Sequence, residues 1–265
     1  MVEINNIYNS DCIDFMKEMS NENFKVDLIL TSPPYNTSRT TGTLENHEKR
    51  YDFYLENKDN EEYDRWTLNL FTNFDKILNK NGCVIYNISY GNENPSQMFT
   101  CISRILSENK FVLADVVGWK KHTALPNNVS SNKLTRIFEF VFIFCRKEEF
   151  YTFHCNKKVI STSSTGQKIY ENIYNLIEAK NNDESTNLNK ATFSTEFVCK
   201  LLNIYGKENG VVYDPFMGTG TTAIACKKYG LNFLGTELSK EQCEYAMNRL
   251  NKTPFPLLKH KFSKI

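Results

Sequence analysis

The chain contains 265 residues, 40% of them hydrophobic, and carries a formal net charge of +1. This length predicts a single domain over residues 1–265, and the near-zero charge neither requires nor excludes a nucleic-acid partner. The eight cysteines are scattered without a C-x-x-C pair, which argues against a metal site and favours reduced thiols in a cytoplasmic protein. No apolar run reaches the length of a membrane span, so we expect no membrane association.

The first half of the chain alternates short apolar strands with helical patterns. The sequence predicts, in order, a strand over 3–8, a two-turn helix capped by Ser10 or Asp11, a buried strand over 26–31, a helix over 64–79 closed by Gly82, a strand over 83–88 and a helix over 95–107. The polar stretch 36–63 between two of these elements is long for a connection, so it is either functional or mobile.

The second half begins with two strands, 111–119 and 137–146, that have no helix between them and are expected to pair antiparallel at one edge. Segment 150–190 has little apolar periodicity. The remaining predicted elements are helix 195–205, strand 211–213, helix 219–229, strand 233–235 and a helix capped by Ser239 that ends near 250. This alternation predicts an α/β fold with a doubly wound, mostly parallel sheet.

The most informative stretch is the strand Val26–Thr31, followed by Ser32-Pro33-Pro34-Tyr35. Two consecutive prolines remove two backbone donors and fix both φ angles, so the strand must end in a stiff loop. The Ser32 hydroxyl, the Pro33 carbonyl and the Tyr35 ring suit the two N–H groups and the π-face of a planar exocyclic amine. The alternative is a rigid turn with a packed tyrosine.

A second motif near the end of the chain reads as a strand, a glycine turn and a helix start, Val211 to Thr222. Its glycines allow a ligand to approach the backbone, and the helix start leaves N–H groups unpaired. No lysine follows Gly220, which disfavours a P-loop. The spacing tolerates a dinucleotide, but Asp214 would repel a pyrophosphate and attract an ammonium group.

An acidic residue, Glu237, ends the next predicted strand, where nucleotide-binding folds hold a ribose diol. A solvated loop residue or a helix cap is the alternative for Glu237. Together with Asp214, this position favours a nucleoside with a charged amino-acid tail, and S-adenosyl-L-methionine fits that description. Asp11, at the end of the first strand, is a candidate for the adenine amine, with helix capping as the alternative.

The sequence Asp-Pro-Phe-Met-Gly-Thr-Gly-Thr-Thr, taken with Thr-Ser-Pro-Pro-Tyr, resembles the amino-methylating DNA methyltransferases of bacterial restriction-modification systems. Because the Pro-Pro-Tyr motif comes first and the cofactor motif last, the chain is similar to the β class of that family. The resemblance implies a circularly permuted, Rossmann-like methyltransferase fold that uses S-adenosyl-L-methionine. It also implies that strands 26–31 and 211–213 are adjacent, with Ser32 and Asp214 facing one cleft.

The resemblance also implies roles for individual residues. Catalysis is expected at Ser32, Pro33, Pro34 and Tyr35. Cofactor contacts are expected from Asp11, Cys12, Phe193, Asp214, Phe216, Gly218, Gly220, Thr221, Thr222, Glu237 and Leu238, although the segment around Phe193 lacks the usual His-Pro or Lys-Pro pair of the family. Phosphate contacts are expected from Arg39, Lys120, Lys121, His122, Lys133 and Arg136, with a solvated loop as their alternative.

The implied substrate is double-stranded DNA whose target base leaves the duplex. Segments 36–63 and 120–190 are expected to read the DNA, and their shortness implies a short recognition sequence or a partner subunit, with a homodimer left open. No Pro-Cys pair is present for ring-carbon methylation. In the family, serine before Pro-Pro-Tyr leans to cytosine N4, so we predict that base, with adenine N6 as the alternative. A catalytically silent subunit that only binds DNA or a partner, and an RNA or protein amide substrate, are the rival hypotheses.

Overall fold

The computed structural model describes residues 1–36, 58–91, 95–123, 126, 131–183 and 192–254. Its strands are β1 (Asn6–Asn9), β2 (Val26–Thr31), β3 (Leu78–Ile88), β4 (Phe111–Lys121), β5 (Phe138–Arg146), β6 (Val159–Thr162), β7 (Lys168–Tyr170), β8 (Leu176–Ala179), β9 (Val211–Asp214) and β10 (Asn232–Glu237). Its helices are α1 (Cys12–Asn21), α2 (Asn60–Ile77), α3 (Gln97–Glu108), α4 (Thr195–Tyr205), α5 (Thr221–Tyr229) and α6 (Lys240–Lys252), with one 3₁₀ turn at Lys147–Glu149.

Eight of these strands form one sheet in the order β1-β10-β9-β2-β3-β5-β4-β8. All neighbouring pairs are parallel except the two that involve β5, which runs antiparallel to β3 and to β4. The mostly parallel, doubly wound α/β sheet predicted from the sequence is confirmed. Strand β8, which the sequence did not predict, pairs with β4 and forms the outer edge beyond the antiparallel pair.

The chain changes direction across the sheet between β9 and β2. Helix α5 leads from β9 to β10 on one side, and α2 leads from β2 to β3 on the other. Strands β2 and β9 pair directly, with Leu28 opposite Val212 and Ile29 opposite Tyr213. In open α/β sheets, ligands bind in the crevice at such a switch point, outside the carboxyl ends of the strands. The predicted adjacency of these two strands is therefore confirmed.

Two apolar layers cover the sheet, one on each face. Helices α1, α2 and α3 pack on one face, around Met16, Phe71 and Ile105, and α4, α5 and α6 pack on the other, around Phe197 and Ala225. Strand β2 lies between both layers, and its apolar side chains are buried. A strand buried on both faces reads as the continuous apolar run seen in the sequence. None of the helices in the described ranges has the length and apolar character needed to cross a bilayer.

One expectation about local structure was wrong. Helix α2 ends at Ile77, and Gly82 lies inside β3 rather than at the end of the helix. A Cβ added at Gly82 would lie 2.7 Å from Leu78 Cγ. The glycine therefore allows the Leu78 side chain to pack against the backbone at the bulge near the start of β3. The weakly patterned segment 150–190 contains the antiparallel hairpin β6–β7 and the edge strand β8. All side chains of β6 and β7 are exposed, which explains the missing apolar periodicity.

Candidate active site

The two motifs meet through a buried hydrogen bond at the switch point. Thr31 ends β2, and its Oγ1 donates to Asp214 Oδ1 at the end of β9 over 2.8 Å. Ser32 follows Thr31 directly, and the glycine turn follows Asp214. The Ser-Pro-Pro-Tyr loop and the glycine turn therefore leave neighbouring strands at the same edge of the sheet.

The Ser-Pro-Pro-Tyr loop is held by residues that follow it in the chain. The Pro34 carbonyl accepts a hydrogen bond from the buried Tyr63 hydroxyl at 2.8 Å. Asn36 adopts a positive φ of 50° and donates from Nδ2 to the Lys58 carbonyl at 3.1 Å. No described residue donates to the Pro33 carbonyl, so this oxygen stays a candidate acceptor for an exocyclic amine.

The hydroxyls of the loop form a network with the neighbouring strands. Ser32 Oγ lies 2.7 Å from Tyr35 Oη, which lies 3.2 Å from both Asn87 Oδ1 and Glu139 Oε2. Lys121 pairs with the other oxygen of Glu139. Neither Asn87 nor Glu139 was predicted from the sequence. A signal was present, since Asn87 lies at the end of a predicted apolar strand and Glu139 interrupts a run of aromatic residues at the start of β5.

Asp214 is buried, with 1% of its surface exposed, and has three donors within the protein. Oδ1 accepts from Thr31 and from the Phe216 backbone N–H, and Oδ2 accepts from Thr222 Oγ1 at 2.5 Å. Burial raises the pKa of Asp214 from 3.8 to about 6, although these hydrogen bonds act in the opposite direction. A buried carboxylate without a cation is stabilised by a positively charged ligand group placed nearby.

The glycine turn leaves backbone groups available at the start of α5. Gly218 and Gly220 have φ values of 54° and 85°, which favour glycine because other residues are strained there. A Cβ at Gly220 would lie 2.9 Å from the Ala246 Cβ, so α6 packs closely against this turn. Thr221 and Thr222 begin α5, whose cap residue Gly220 offers no side chain to the first N–H groups.

Glu237 joins the glycine turn to the end of β10. Its Oε2 accepts from the Gly218 N–H at 2.8 Å, and its Oε1 accepts from the Ser239 N–H at 2.9 Å. Asn9 donates to the carbonyls of both Glu237 and Leu238. These contacts hold the end of β1 beside the end of β10, and binding of a ribose diol by Glu237 stays a prediction.

The residues that follow β1 lie at this same edge. Asp11 Oδ1 accepts from the N–H groups of Ile13 and Asp14, so its side chain caps α1. The helix-cap interpretation is therefore correct for one carboxylate oxygen, and contact with an adenine amine stays a prediction. The Cys12 thiol is buried, and burial raises its pKa well above the usual range.

Helix α2 lies over both motifs. Tyr63 binds the Pro34 carbonyl, and the Trp66 ring lies 5.7 Å from the Phe216 ring, measured between centroids. The Tyr63 and Trp66 rings are also 5.7 Å apart. The same helix therefore positions the Ser-Pro-Pro-Tyr loop and the glycine turn, a role that its apolar pattern did not reveal.

A second bridge, also missed in the sequence, approaches the glycine turn from α6. Arg249 donates to the Thr219 carbonyl at 2.7 Å and to Asp183 at 3.3 Å. Asp183 accepts from the Thr195 N–H at the start of α4. Phe193 is buried just before this helix, and its ring lies 6.0 Å from the Phe197 ring. Its place beside the methionine part of a cofactor stays a prediction.

The candidate phosphate contacts do not form one cluster of unpaired cations. Lys120 binds Glu178, Lys121 binds Glu139, and Arg136 stacks on Tyr90 and donates to its carbonyl. His122 and Lys133 are exposed. Arg39 lies outside the described residues. The assignment of these side chains to DNA phosphates remains a prediction.

Comparisons with known proteins agree with this geometry. The profile of a DNA methylase family, N6_N4_Mtase, matches residues 26–248. The type II methyltransferase M2.MboI of Moraxella bovis is 24% identical over 97% of this chain and 91% of its own length. The crystal structure of the M1.HpyAVI–SAM complex is 26% identical, with a TM-score of 0.65 over 93% of this chain and 98% of that one. The cytosine-N4-specific PvuII methyltransferase, at 17% identity and a TM-score of 0.68 over 92% of this chain and 85% of that one, shares the fold.

These features define a Rossmann-like methyltransferase whose glycine turn and Ser-Pro-Pro-Tyr loop meet at one switch point. The chain belongs to the N6/N4 DNA methylase family. It is a DNA amino-methyltransferase, and its cofactor is S-adenosyl-L-methionine. The site fits that cofactor, because no cationic side chain of the described residues pairs with the buried Asp214, no side chain caps the start of α5, and an acidic residue ends β10.

Proposed function

We propose that this protein is a site-specific methyltransferase that acts on double-stranded DNA and methylates N4 of a flipped-out cytosine. The observation that carries the proposal is the 2.8 Å hydrogen bond from Thr31 to Asp214. This bond connects two strands: β2, which leads to Ser32, and β9, which leads to the glycine turn. An amine held by Ser32 can therefore face a methyl group held at that turn.

Each part of the crevice has a proposed role. Ser32 and the Pro33 carbonyl accept the two N–H bonds of the amine, and the Tyr35 ring stacks on the base. The cofactor supplies an electrophilic methyl group on a sulfonium. Asp214 stabilises the positively charged amino group of the cofactor, and Glu237 binds the ribose diol of the cofactor. Unstacking a base costs a few kcal/mol, which stacking and amine contacts must offset. The remaining acceleration comes from positioning and electrostatics.

The base preference rests on the small, neutral side chain at Ser32. A serine leaves room for a pyrimidine and accepts from its amine without placing a charge beside the ring. Adenine N6 is the alternative within the same family, because both bases present the same exocyclic amine. A silent subunit is disfavoured, since both the Ser-Pro-Pro-Tyr loop and the glycine turn are intact and adjacent.

The β6–β7 hairpin is proposed to contribute to DNA binding. It stands apart from the main sheet, with Gly166 at its turn and every side chain of both strands exposed. Lys158 precedes β6 and Lys168 begins β7. A two-stranded ribbon of this kind fits a DNA groove, and its lysines can contact phosphates. A homodimer and a cytoplasmic location also remain predictions.

The deciding experiment is methylation of mixed-sequence double-stranded DNA, followed by nucleoside mass spectrometry and single-molecule sequencing. We expect N4-methylcytosine at one short sequence. N6-methyladenine would establish the alternative base. Cofactor binding without methylation of any DNA would favour the silent subunit. Competition with RNA and protein would separate the remaining substrate classes.

A further inference from the structure

A chain of hydrogen bonds leads from the Ser32 hydroxyl to a largely buried ion pair. Ser32 Oγ lies 2.7 Å from Tyr35 Oη, and Tyr35 Oη lies 3.2 Å from Glu139 Oε2. The second oxygen of Glu139 lies 2.5 Å from Lys121 Nζ. The side chains of Glu139 and Lys121 are only 14% and 24% exposed. Three elements, the loop after β2 and strands β4 and β5, therefore converge on one carboxylate.

Asn87 on β3 fixes the direction of this chain. Its Nδ2 donates to the Phe140 carbonyl at 3.1 Å and faces Glu139 Oε2 at 3.3 Å. Its Oδ1 is consequently the atom that faces Tyr35, at 3.2 Å. Tyr35 Oη thus meets two acceptors, Asn87 Oδ1 and the Glu139 oxygen Oε2, and its single proton points towards them. The Ser32 hydroxyl then donates to Tyr35, which leaves the lone pairs of Ser32 for a substrate N–H.

This direction matters for transfer to an amine. The amine nitrogen attacks through its lone pair, so a hydroxyl that donated to that nitrogen would block the reaction. A hydroxyl that accepts an N–H bond instead holds the amine with its lone pair available. Reversing the two hydroxyls would therefore change the loop from one that assists attack to one that opposes it.

We propose that Glu139, held by Lys121 and Asn87, is a positioning residue that acts through Tyr35 to orient the Ser32 hydroxyl and that receives the proton lost by the target amine. The inference rests on the proposed function. It adds a terminal proton acceptor that neither motif contains.

The proposed step balances in atoms and charge. The amine nitrogen forms a bond to the methyl carbon, and the carbon–sulfur bond breaks with its electron pair going to sulfur. The nitrogen then gives one proton to Ser32 Oγ while the Ser32 proton moves to Tyr35 and the Tyr35 proton moves to Glu139. The carboxylic acid formed on Glu139 returns its proton to solvent through its exposed part. The products are the methylated amine, the neutral thioether and one proton.

The first test is Glu139→Gln, assayed on the duplex identified by sequencing. The glutamine amide can donate to Tyr35, which permits the reversed chain and removes the proton acceptor. We expect the single-turnover methylation rate to fall by on the order of 100-fold, the usual contribution of general acid–base catalysis. The Kd for S-adenosyl-L-methionine from calorimetry, and base flipping followed by 2-aminopurine fluorescence, should not change.

Glu108→Gln is the matched control, because Glu108 pairs with Arg104 on α3, outside the segments expected to read the DNA, and its side chain is 47% exposed. It should methylate at the wild-type rate. Glu139→Asp keeps an acceptor and should recover at least part of the rate, which a role in packing alone does not predict. An equal loss in the aspartate and glutamine variants would overturn the proposal.

Tyr35→Phe provides a second route to the same question, because it keeps the ring and removes the link between Ser32 and Glu139. The double variant Tyr35→Phe/Glu139→Gln should lose no more rate than either single variant, since residues that act as one unit are not additive. Additive losses would overturn the proposal. If Glu139→Gln does not fold, wild-type turnover in Tyr35→Phe overturns it. A wild-type protein that methylates no DNA instead overturns the proposed function.

Discussion

Strand β5 carries a buried charge cluster at each of its ends, and the two clusters differ in how their charges are compensated. At Arg146, beside the amino ends of the parallel strands, one guanidinium binds Asp75, Glu149 and the carbonyls of Leu78 and Asn79. At Glu139, beside their carboxyl ends, one carboxylate binds Lys121 and the uncharged side chains of Tyr35 and Asn87.

The pKa values of one carboxyl at each edge of the sheet, Asp75 and Asp214, also differ. Burial alone raises the pKa of Asp75, but hydrogen bonds from Arg146 and Lys110 lower it below its usual value. Among the described residues, the donors to Asp214 at the carboxyl edge are two hydroxyls and one backbone N–H, and burial raises the pKa of Asp214 to about 6. Asp75 at the amino edge is therefore compensated by cationic side chains, whereas Asp214 at the carboxyl edge carries a charge that a cationic ligand can stabilise.

The largest effect should come from Arg146→Met. Removing the guanidinium leaves Asp75 and Glu149 buried without their shared partner, which should lower the free energy of unfolding by about 3–5 kcal/mol. Urea denaturation measures this loss. Arg65→Met is the control, because its partner Glu61 is exposed and the exposed pair is worth at most about 1 kcal/mol. Equal changes in the two variants would contradict the distinction.

The buried carboxyl of Asp214 should make the free energy of unfolding depend on pH. A raised folded-state pKa stabilises the protein fully below the unfolded value of 3.8, and this contribution is lost as the pH rises through about 6. The stability of Asp214→Asn relative to wild type should therefore increase between pH 4 and pH 7, by on the order of 3 kcal/mol. Urea denaturation without cofactor tests this, and a difference that stays constant with pH would contradict it.

Gly220 in the glycine turn and Gly166 in the β6–β7 hairpin turn have similar φ angles, 85° and 82°, and can be compared directly. Gly220→Ala combines a strained φ with a Cβ 2.9 Å from Ala246, and should cost about 2–4 kcal/mol of unfolding free energy. Gly166→Ala has a φ of +82° but no atom within 4 Å, and should cost about 1–2 kcal/mol. Ala246→Gly removes the overlap but costs stability itself, because Ala246 is buried inside α6. Combined with Gly220→Ala it should therefore lose less than the sum of the two single changes, whereas combined with Gly166→Ala the losses should add, as thermal unfolding would show.

The smallest expected changes in unfolding free energy come from replacing two neighbouring lysines of β4, Lys120 and Lys121. Lys121→Met leaves the largely buried Glu139 without its cation and should cost about 1–3 kcal/mol. Lys120→Met breaks an exposed pair with Glu178 and should cost less than about 1 kcal/mol. If Lys120 contacts a DNA phosphate, its variant should also reduce the salt dependence of DNA binding by about one unit of slope. Unfolding curves and titrations at several salt concentrations measure both quantities.

The order of strands and helices was largely predictable because the buried strands and helices have recognisable patterns of apolar residues. Strand Val26–Thr31 and helix Thr195–Tyr205 have the bounds that their apolar patterns predict. The β6–β7 hairpin was missed because its side chains are exposed and leave no such pattern. The prediction that Gly82 ends a helix was wrong because glycine is also common at bulges in strands.

The sequence by itself determined the family, the two motifs and the expectation that they meet, because prolines, glycines and acidic residues constrain the local backbone and its ligands. Only the tertiary structure decided which residues support them. Asn87, Glu139 and Arg249 lie far from the motifs in sequence and reach them through pairing of strands and packing of α6. Hydrogen bonds between distant segments depend on three-dimensional position, which no local pattern records.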